Sequence, residues 1–217
     1  MTGDLFAALP REPDIESITE GATLLRAFVS DEEAATLVAA IDTVLAHSPL
    51  RNMQTPGGFR MSVAMSNCGQ FGWVTDRRGY RYQALDPVTG QHWPDMPPAF
   101  VALAQRAAEA AGFASFLPDA CLVNRYDPGA RMSLHQDRNE EDMQQPIVSV
   151  SLGLPATFLF GGMERSDKPQ RMRLESGDVV VWGGPARLAF HGVDVLRDGE
   201  HPLTGRCRYN LTFRRAR

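Results

Sequence analysis

Apolar and polar positions follow two rhythms along the 217-residue chain, helical in the first half and extended in the second. Ser30-Asp31-Glu32-Glu33 is a capping box, and Ala34, Leu37, Val38, Ile41, Val44 and Leu45 behind it recur at the spacing of one helix face. The pattern predicts a helix of about four turns ending near His47-Ser48-Pro49. Pro97-Pro98 opens a second helical pattern through Phe100, Leu103, Ala104, Ala107 and Ala111, closed by Gly112. Between them lies a stretch rich in glycine and aromatics, residues 51–96.

From Pro118 the period shortens to two, with breaks at Gly, Pro and Asp. Strands are predicted at 120–126, 131–135, 146–152, 156–160, 171–175, 178–182, 187–191 and 206–214. Short strands after two helices suggest an antiparallel sandwich or jelly roll with the helices packed on one outer face. No repeat, low-complexity tract or linker divides the chain, and its length suits one domain with a real interior.

The balance of 43% apolar and 22% charged residues sets aside disordered and fibrous classes. Cys68, Cys121 and Cys207 are odd in number and lack metal-knuckle spacing, so reduced core thiols are expected. No apolar run approaches the ~20 residues a bilayer span needs, and MTGDLFAALPREPD lacks the basic start of a secretion signal. A cytoplasmic location is the expectation.

The net charge of −4 conceals an uneven distribution: nine of the 26 acids, but only Arg11 and Arg26 of the bases, fall in residues 1–50. Residues 51–82 hold Arg51, Arg60, Arg77, Arg78 and Arg81 against Asp76 alone, interleaved with Phe59, Phe71, Trp73, Tyr80 and Tyr82. Basic groups mixed with aromatics suit a phosphate backbone and a stacked base, although a solvated face reads the same way.

His135-Gln136-Asp137 places an imidazole and a carboxylate at i and i+2, on the same side of an extended segment. His191, in the strand-like run Leu188-Ala189-Phe190-His191-Gly192, supplies a third donor. Two histidines and one carboxylate make the facial triad of non-haem Fe(II) oxygenases, with open positions left on the ion; a zinc hydrolase could use the same residues. Arg208-Tyr209-Asn210-Leu211-Thr212-Phe213-Arg214 alternates strictly, so Arg208, Asn210, Thr212 and Arg214 share one face. Buried unpaired guanidinium is costly, so a dicarboxylate ligand is one natural partner and neighbouring Asp or Glu side chains are the other. Asn124 and Tyr126, on one face of another strand, offer an amide and a phenol to the same anion.

With these residues stand Thr55-Pro56-Gly57-Gly58, Met61-Ser62-Val63-Ala64-Met65, Asn67-Cys68-Gly69, Pro118-Asp119-Ala120-Cys121-Leu122, Pro146 to Pro155 and Gly177-Asp178-Val179-Val180-Val181-Trp182-Gly183-Gly184. From about Leu50 to Phe213 the chain resembles the AlkB-type Fe(II)- and 2-oxoglutarate-dependent dioxygenases, above all their bacterial members. The resemblance implies an α+β, mostly β fold: a double-stranded β-helix (jelly-roll) core at 118–217, N-terminal helices packed on one face, and a nucleotide-recognition lid at 51–96. Residues 1–50 would be an N-terminal extension and helix, and 97–117 the second helix, within one domain.

It further implies that His135, Asp137 and His191 bind Fe(II) and form the catalytic centre. Asn124, Tyr126, Arg208, Asn210 and Arg214 would anchor 2-oxoglutarate, Arg208 at the distal carboxylate and Arg214 nearer the metal. Trp73 would stack the damaged base against the His135 ring, and Tyr80, Arg81, Tyr82, Asn139 and Arg165 would contact the nucleotide. The implied reaction is DNA repair by oxidative demethylation: O2 and 2-oxoglutarate are consumed, and formaldehyde, succinate and CO2 are released from bases such as 1-methyladenine and 3-methylcytosine. Methylated DNA or RNA, single-stranded or with a flipped base, is the expected partner of a monomer. One departure is Asn139, where the family pattern carries an acid two places beyond the metal aspartate; Glu140 follows and could replace its charge. Two rivals are an oxygenase of the same fold acting on a protein or small molecule, which the basic aromatic stretch opposes, and a silent cupin-like binding module, which the complete triad opposes.

Overall fold

A computed structural model describes residues 11–217; residues 1–10, the start of the expected N-terminal extension, lie outside the described residues. In chain order the elements begin with β1 (Asp14–Thr19), β2 (Ala22–Arg26), α1 (Asp31–His47), β3 (Ala64–Gly69), β4 (Gly72–Asp76), β5 (Gly79–Gln83) and α2 (Pro98–Ala110). There follow β6 (Ala120–Tyr126), β7 (Met132–His135), β8 (Ile147–Gly153), β9 (Ala156–Phe160), β10 (Gln170–Leu174), β11 (Val179–Trp182), β12 (His191–Val193) and β13 (Arg208–Arg214). No helix among the described residues is long and apolar enough to cross a membrane.

The strands form a jelly-roll sandwich. A seven-stranded sheet runs β1-β2-β11-β8-β13-β6-β3, a four-stranded sheet runs β10-β9-β12-β7, and β4-β5 stands apart as a hairpin. Period-two alternation decides what each face of the large sheet meets. Val179, Val181, Tyr209, Leu211 and Phe213 pack with Leu37, Ile41, Phe100 and Leu103 of the two helices. Val180 and Trp182 point the other way, into a second core with Phe158 and Phe160 of the small sheet. Both faces are covered, so β13 is buried at every position and its inward polar residues lie in a dry interior.

The capping box forms as its sequence requires: Ser30 Oγ accepts the Glu33 N–H at 3.2 Å. Gly112, at φ +86°, ends α2 in the left-handed conformation that favours glycine.

Three expectations need correction. Strands do not all follow the helices, because β1 and β2 precede α1 and β3 to β5 precede α2. Part of the segment expected as an N-terminal extension, Asp14–Thr19 and Ala22–Arg26, is sheet: β2 lies between β1 and β11, and the buried Asp178 carboxylate takes the Arg11 and Arg26 guanidiniums and the Ala27 N–H. The predicted strand at 187–191 is instead turn and loop following a 3-10 turn at 184–186, with only His191 to Val193 extended, because Arg187 turns inward to hydrogen-bond the loop after β7.

Candidate active site

β7 and β12 pair so that His135 and His191 stand opposite each other, their ring centroids 4.4 Å apart. Gly192 permits that approach: a Cβ there would lie 2.6 Å from the Met132 carbonyl oxygen, so any side chain would push β12 off β7. Asp137 follows at the end of β7, with Oδ1 3.7 Å from His135 Nε2 and Oδ2 3.7 Å from His191 Nε2. All three residues offer donor atoms within 4.8 Å of one another. Each imidazole donates its Nδ1–H to the backbone carbonyl two residues earlier, His135 to Ser133 at 2.9 Å and His191 to Ala189 at 3.0 Å. That fixes the tautomer and turns both Nε2 lone pairs toward the carboxylate, the orientation a metal needs.

Burial, and secondarily the charge of His135, lowers His191 to a pKa of about 3, so its imidazole is neutral and available as a ligand. For Asp137, burial would raise the carboxyl, but Arg214 and then the two histidines outweigh it and hold it well below the usual carboxylate range. Two imidazole nitrogens and one carboxylate on one side of a point fit a divalent ion with further positions open.

Behind the triad lies a cavity lined by Asn124, Tyr126, Arg208, Asn210, Thr212 and Arg214, among others. The strand alternation therefore holds, but the two arginines differ. Arg214 donates Nε and Nη2 to Asp137 Oδ2 at 2.9 and 2.6 Å. Arg208, 1% exposed, donates Nη2 to Ser151 Oγ at 2.8 Å, while its Nε and Nη1 have no partner among the described residues. Burial lowers its pKa, as expected where charge is desolvated without compensation. A buried guanidinium facing a cavity with two donors unused fits a ligand carboxylate. Tyr126 lies beneath it, its ring 5.4 Å from the Arg208 Cζ, and burial lifts its phenol to about 12, so the hydroxyl remains a donor. Asn210 has its amide committed within the protein: Nδ2 bonds Ser149 Oγ and the Val150 carbonyl, and Oδ1 accepts from Asn124 and Thr212. It braces Asn124 rather than presenting a free group.

The β4-β5 hairpin lies against the loop that follows the triad's Asp137. Trp73 and Tyr80 stack with centroids 5.6 Å apart and planes 19° from parallel, and Tyr80 is 46% exposed. The Trp73 Nε1–H reaches Asn139 Oδ1 at 3.4 Å. Arg165, exposed, donates to the Leu134 carbonyl beside His135 and lies over the Phe190 ring. Arg81 and Tyr82, expected to contact the nucleotide, have partners within the protein. Arg81 is clamped bidentately on Asp76 at 2.9 and 2.8 Å, and Tyr82 is buried with its hydroxyl on Glu140 at 2.5 Å. Glu140 also accepts from Arg187 at 3.1 Å and lies 6% exposed, so it is held beneath the hairpin and cannot replace an acid at position 139.

Arg187, Gly192 and the serines of β8 escaped the sequence reading. Only the serines left a signal: Ser149 and Ser151 interrupt an otherwise apolar central strand at alternate positions, which marks a polar inner face.

The family model of the 2OG-Fe(II) oxygenase superfamily matches residues 21–214. The chain is 57% identical over 213 residues to alpha-ketoglutarate-dependent dioxygenase AlkB of Escherichia coli (strain K12), covering 98% of this chain and 97% of that protein. It is 35% identical over 137 residues to tRNA demethylase abh1 of Schizosaccharomyces pombe, covering 61% of this chain and 45% of the other. The solved structure of OsALKBH1 superposes with a TM-score of 0.82 at 28% identity, covering 93% of this chain and all of that one.

Proposed function

Because the chain belongs to the 2OG-Fe(II) oxygenase superfamily and, within it, to the AlkB-type dioxygenases, we propose that it demethylates N-alkylated nucleic-acid bases such as 1-methyladenine and 3-methylcytosine. Its cofactor is Fe(II) and its cosubstrates are 2-oxoglutarate and O2. The observation that carries the reading is a triad whose two tautomer-fixed histidines line the same cavity as a buried guanidinium with two donors unused among the described residues.

His135, Asp137 and His191 would hold the iron, Arg208 with Asn124 and Tyr126 would take the distal carboxylate of 2-oxoglutarate, and Arg214, on Asp137, would lie nearer the metal end. Once bound, iron and 2-oxoglutarate supply the oxidation: O2 is consumed, succinate and CO2 leave, and one oxygen is inserted at the N-methyl carbon. The resulting hydroxymethyl group falls away as formaldehyde and restores the base. Protein groups position the methyl carbon and exclude water. The Trp73–Tyr80 stack offers a π-face to a base lifted from its strand, against the 37% exposed side chain of His135. Arg165 and Asn139 lie at the rim.

We further propose that residues 1–217 form a single AlkB-like domain acting as a monomer on methylated DNA or RNA; the tRNA demethylase among its relatives favours including RNA. Three buried free thiols suit the reducing cytoplasm. Formaldehyde release from N-methylated single-stranded oligonucleotides, run beside an N-methylated lysine peptide, tests the reading. Release from the oligonucleotides alone is expected; release from the peptide alone overturns it in favour of a protein substrate.

A further inference from the structure

Asp137 is joined to the β4-β5 hairpin by an unbroken line of buried polar contacts. Tyr82, which pairs across the hairpin with Trp73, donates its hydroxyl to Glu140 Oε1 at 2.5 Å. The same oxygen lies 3.5 Å from Arg214 Nε, and Arg214 holds Asp137 Oδ2, the oxygen that faces His191. Glu140 Oε2 accepts from Arg187, whose Nη1 donates to the Asp137 backbone carbonyl at 2.8 Å and whose Nε donates to Gln145. The side chains of Glu140, Arg187, Arg214 and Asp137 are 2, 4, 7 and 10% exposed. Two carboxylates and two guanidiniums thus balance in a buried space, where the loss of either sign leaves an uncompensated charge.

We infer that Glu140 is a positioning residue that sets the metal affinity of Asp137 through Arg214 and Arg187, and that Tyr82 makes that affinity respond to nucleic acid on the hairpin. The inference rests on the proposed metal and base sites. Glu140 draws part of the Arg214 charge away from Asp137, leaving Oδ2 a better donor to an ion. Arg187 fixes the backbone on which that carboxylate sits. A base stacked on Trp73 presses on the strand pair that carries Tyr82, and a shift of Tyr82 moves Glu140 and with it the grip of Arg214. Coupling of this kind is reciprocal for binding: if nucleic acid tightens the metal, the metal tightens nucleic acid by the same factor.

The test is titration of the metal-free full chain with Co(II), followed by visible absorption, with and without saturating single-stranded oligonucleotide carrying 1-methyladenine. In wild type the oligonucleotide should tighten Co(II) by about fivefold or more. Glu140→Gln should weaken Co(II) alone by about 10–100-fold, the usual effect of losing a partner behind the ligands. Tyr82→Phe should abolish the oligonucleotide's effect on Co(II). Arg187→Lys, which keeps the charge but loses the bridging geometry, should weaken Co(II) in the same direction and serves if Glu140→Gln does not fold. Unchanged Co(II) affinity in Glu140→Gln or, if that variant does not fold, in Arg187→Lys, overturns the positioning role. An oligonucleotide effect that is absent in wild type, or equal in wild type and Tyr82→Phe, overturns the link to the hairpin. Failure of wild type to bind Co(II) at all would instead remove the metal site on which the inference rests.

Discussion

Arg208 and Arg214 lie on the same face of β13, six residues apart, yet among the described residues Arg214 alone of the two has a carboxylate: it holds Asp137, while Arg208 keeps Nε and Nη1 unused in the same cavity. Stability alone gives no reason for the unpaired one, because a buried cation without a counter-charge destabilises the fold. A site that receives an anion does.

Replacing Arg208 therefore separates folding from binding. Arg208→Met fills similar volume without charge and should leave the thermal midpoint of the metal-free protein unchanged or raised. Binding of 2-oxoglutarate should weaken by about 2–5 kcal/mol, as when one partner of a buried charge pair is lost. Calorimetric titration reads the second effect and a melting curve the first. A large drop in midpoint with unaltered 2-oxoglutarate affinity would make Arg208 a structural residue.

For the hairpin, Trp73→Ala should lose about 1–3 kcal/mol of base stacking and so impair demethylation of oligonucleotides. Consumption of 2-oxoglutarate in the absence of nucleic acid should survive, since the hydrogen bonds of Trp73 go to Asn67 and Asn139 rather than to the triad, Arg208 or Arg214. Equal loss of both activities would place Trp73 in support of the metal site instead.

Asn139 is held with Oδ1 toward the Trp73 indole, and Glu140 is locked beneath by Tyr82 and Arg187. The rim beside the base thus carries an uncharged amide. Introducing a carboxylate with Asn139→Asp should raise the preference for 1-methyladenine and 3-methylcytosine, cationic near neutral pH, over the neutral 1-methylguanine and 3-methylthymine. Charge assistance makes such a hydrogen bond about twice as strong. Mass spectrometry on matched single-stranded oligonucleotides measures the ratio; an unmoved ratio would put Asn139 outside the base pocket.

Much of this site was legible because period two is a strong constraint. Once β13 alternates, Arg208, Asn210, Thr212 and Arg214 must face one way, and His135 and Asp137 must share a side. Both helices were legible from a different period, the apolar stripe of one helix face, and from their caps. β1 was not, because Asp14–Thr19 is nearly all exposed and its pairing is fixed by Asp178, distant in sequence. Arg187 was hidden too: no periodicity marks an arginine in a turn whose partners, Asp137, Glu140 and Gln145, meet it only in the folded chain. The same is true of Tyr82, whose aromatic ring read as a nucleotide contact and whose hydroxyl proves to be committed inward.

The account as a whole depends on Asp137 as the carboxylate of the metal centre. Its most direct test is the yield of succinate from 2-oxoglutarate, with Fe(II) and O2 supplied, by wild type and by Asp137→Ala. Far-ultraviolet circular dichroism of both proteins serves as the check on folding. The account predicts robust succinate formation by wild type and none above background by a folded Asp137→Ala, because the carboxylate is one of three protein ligands and balances the ion's charge. Succinate formed by the folded variant at a rate near wild type would contradict it.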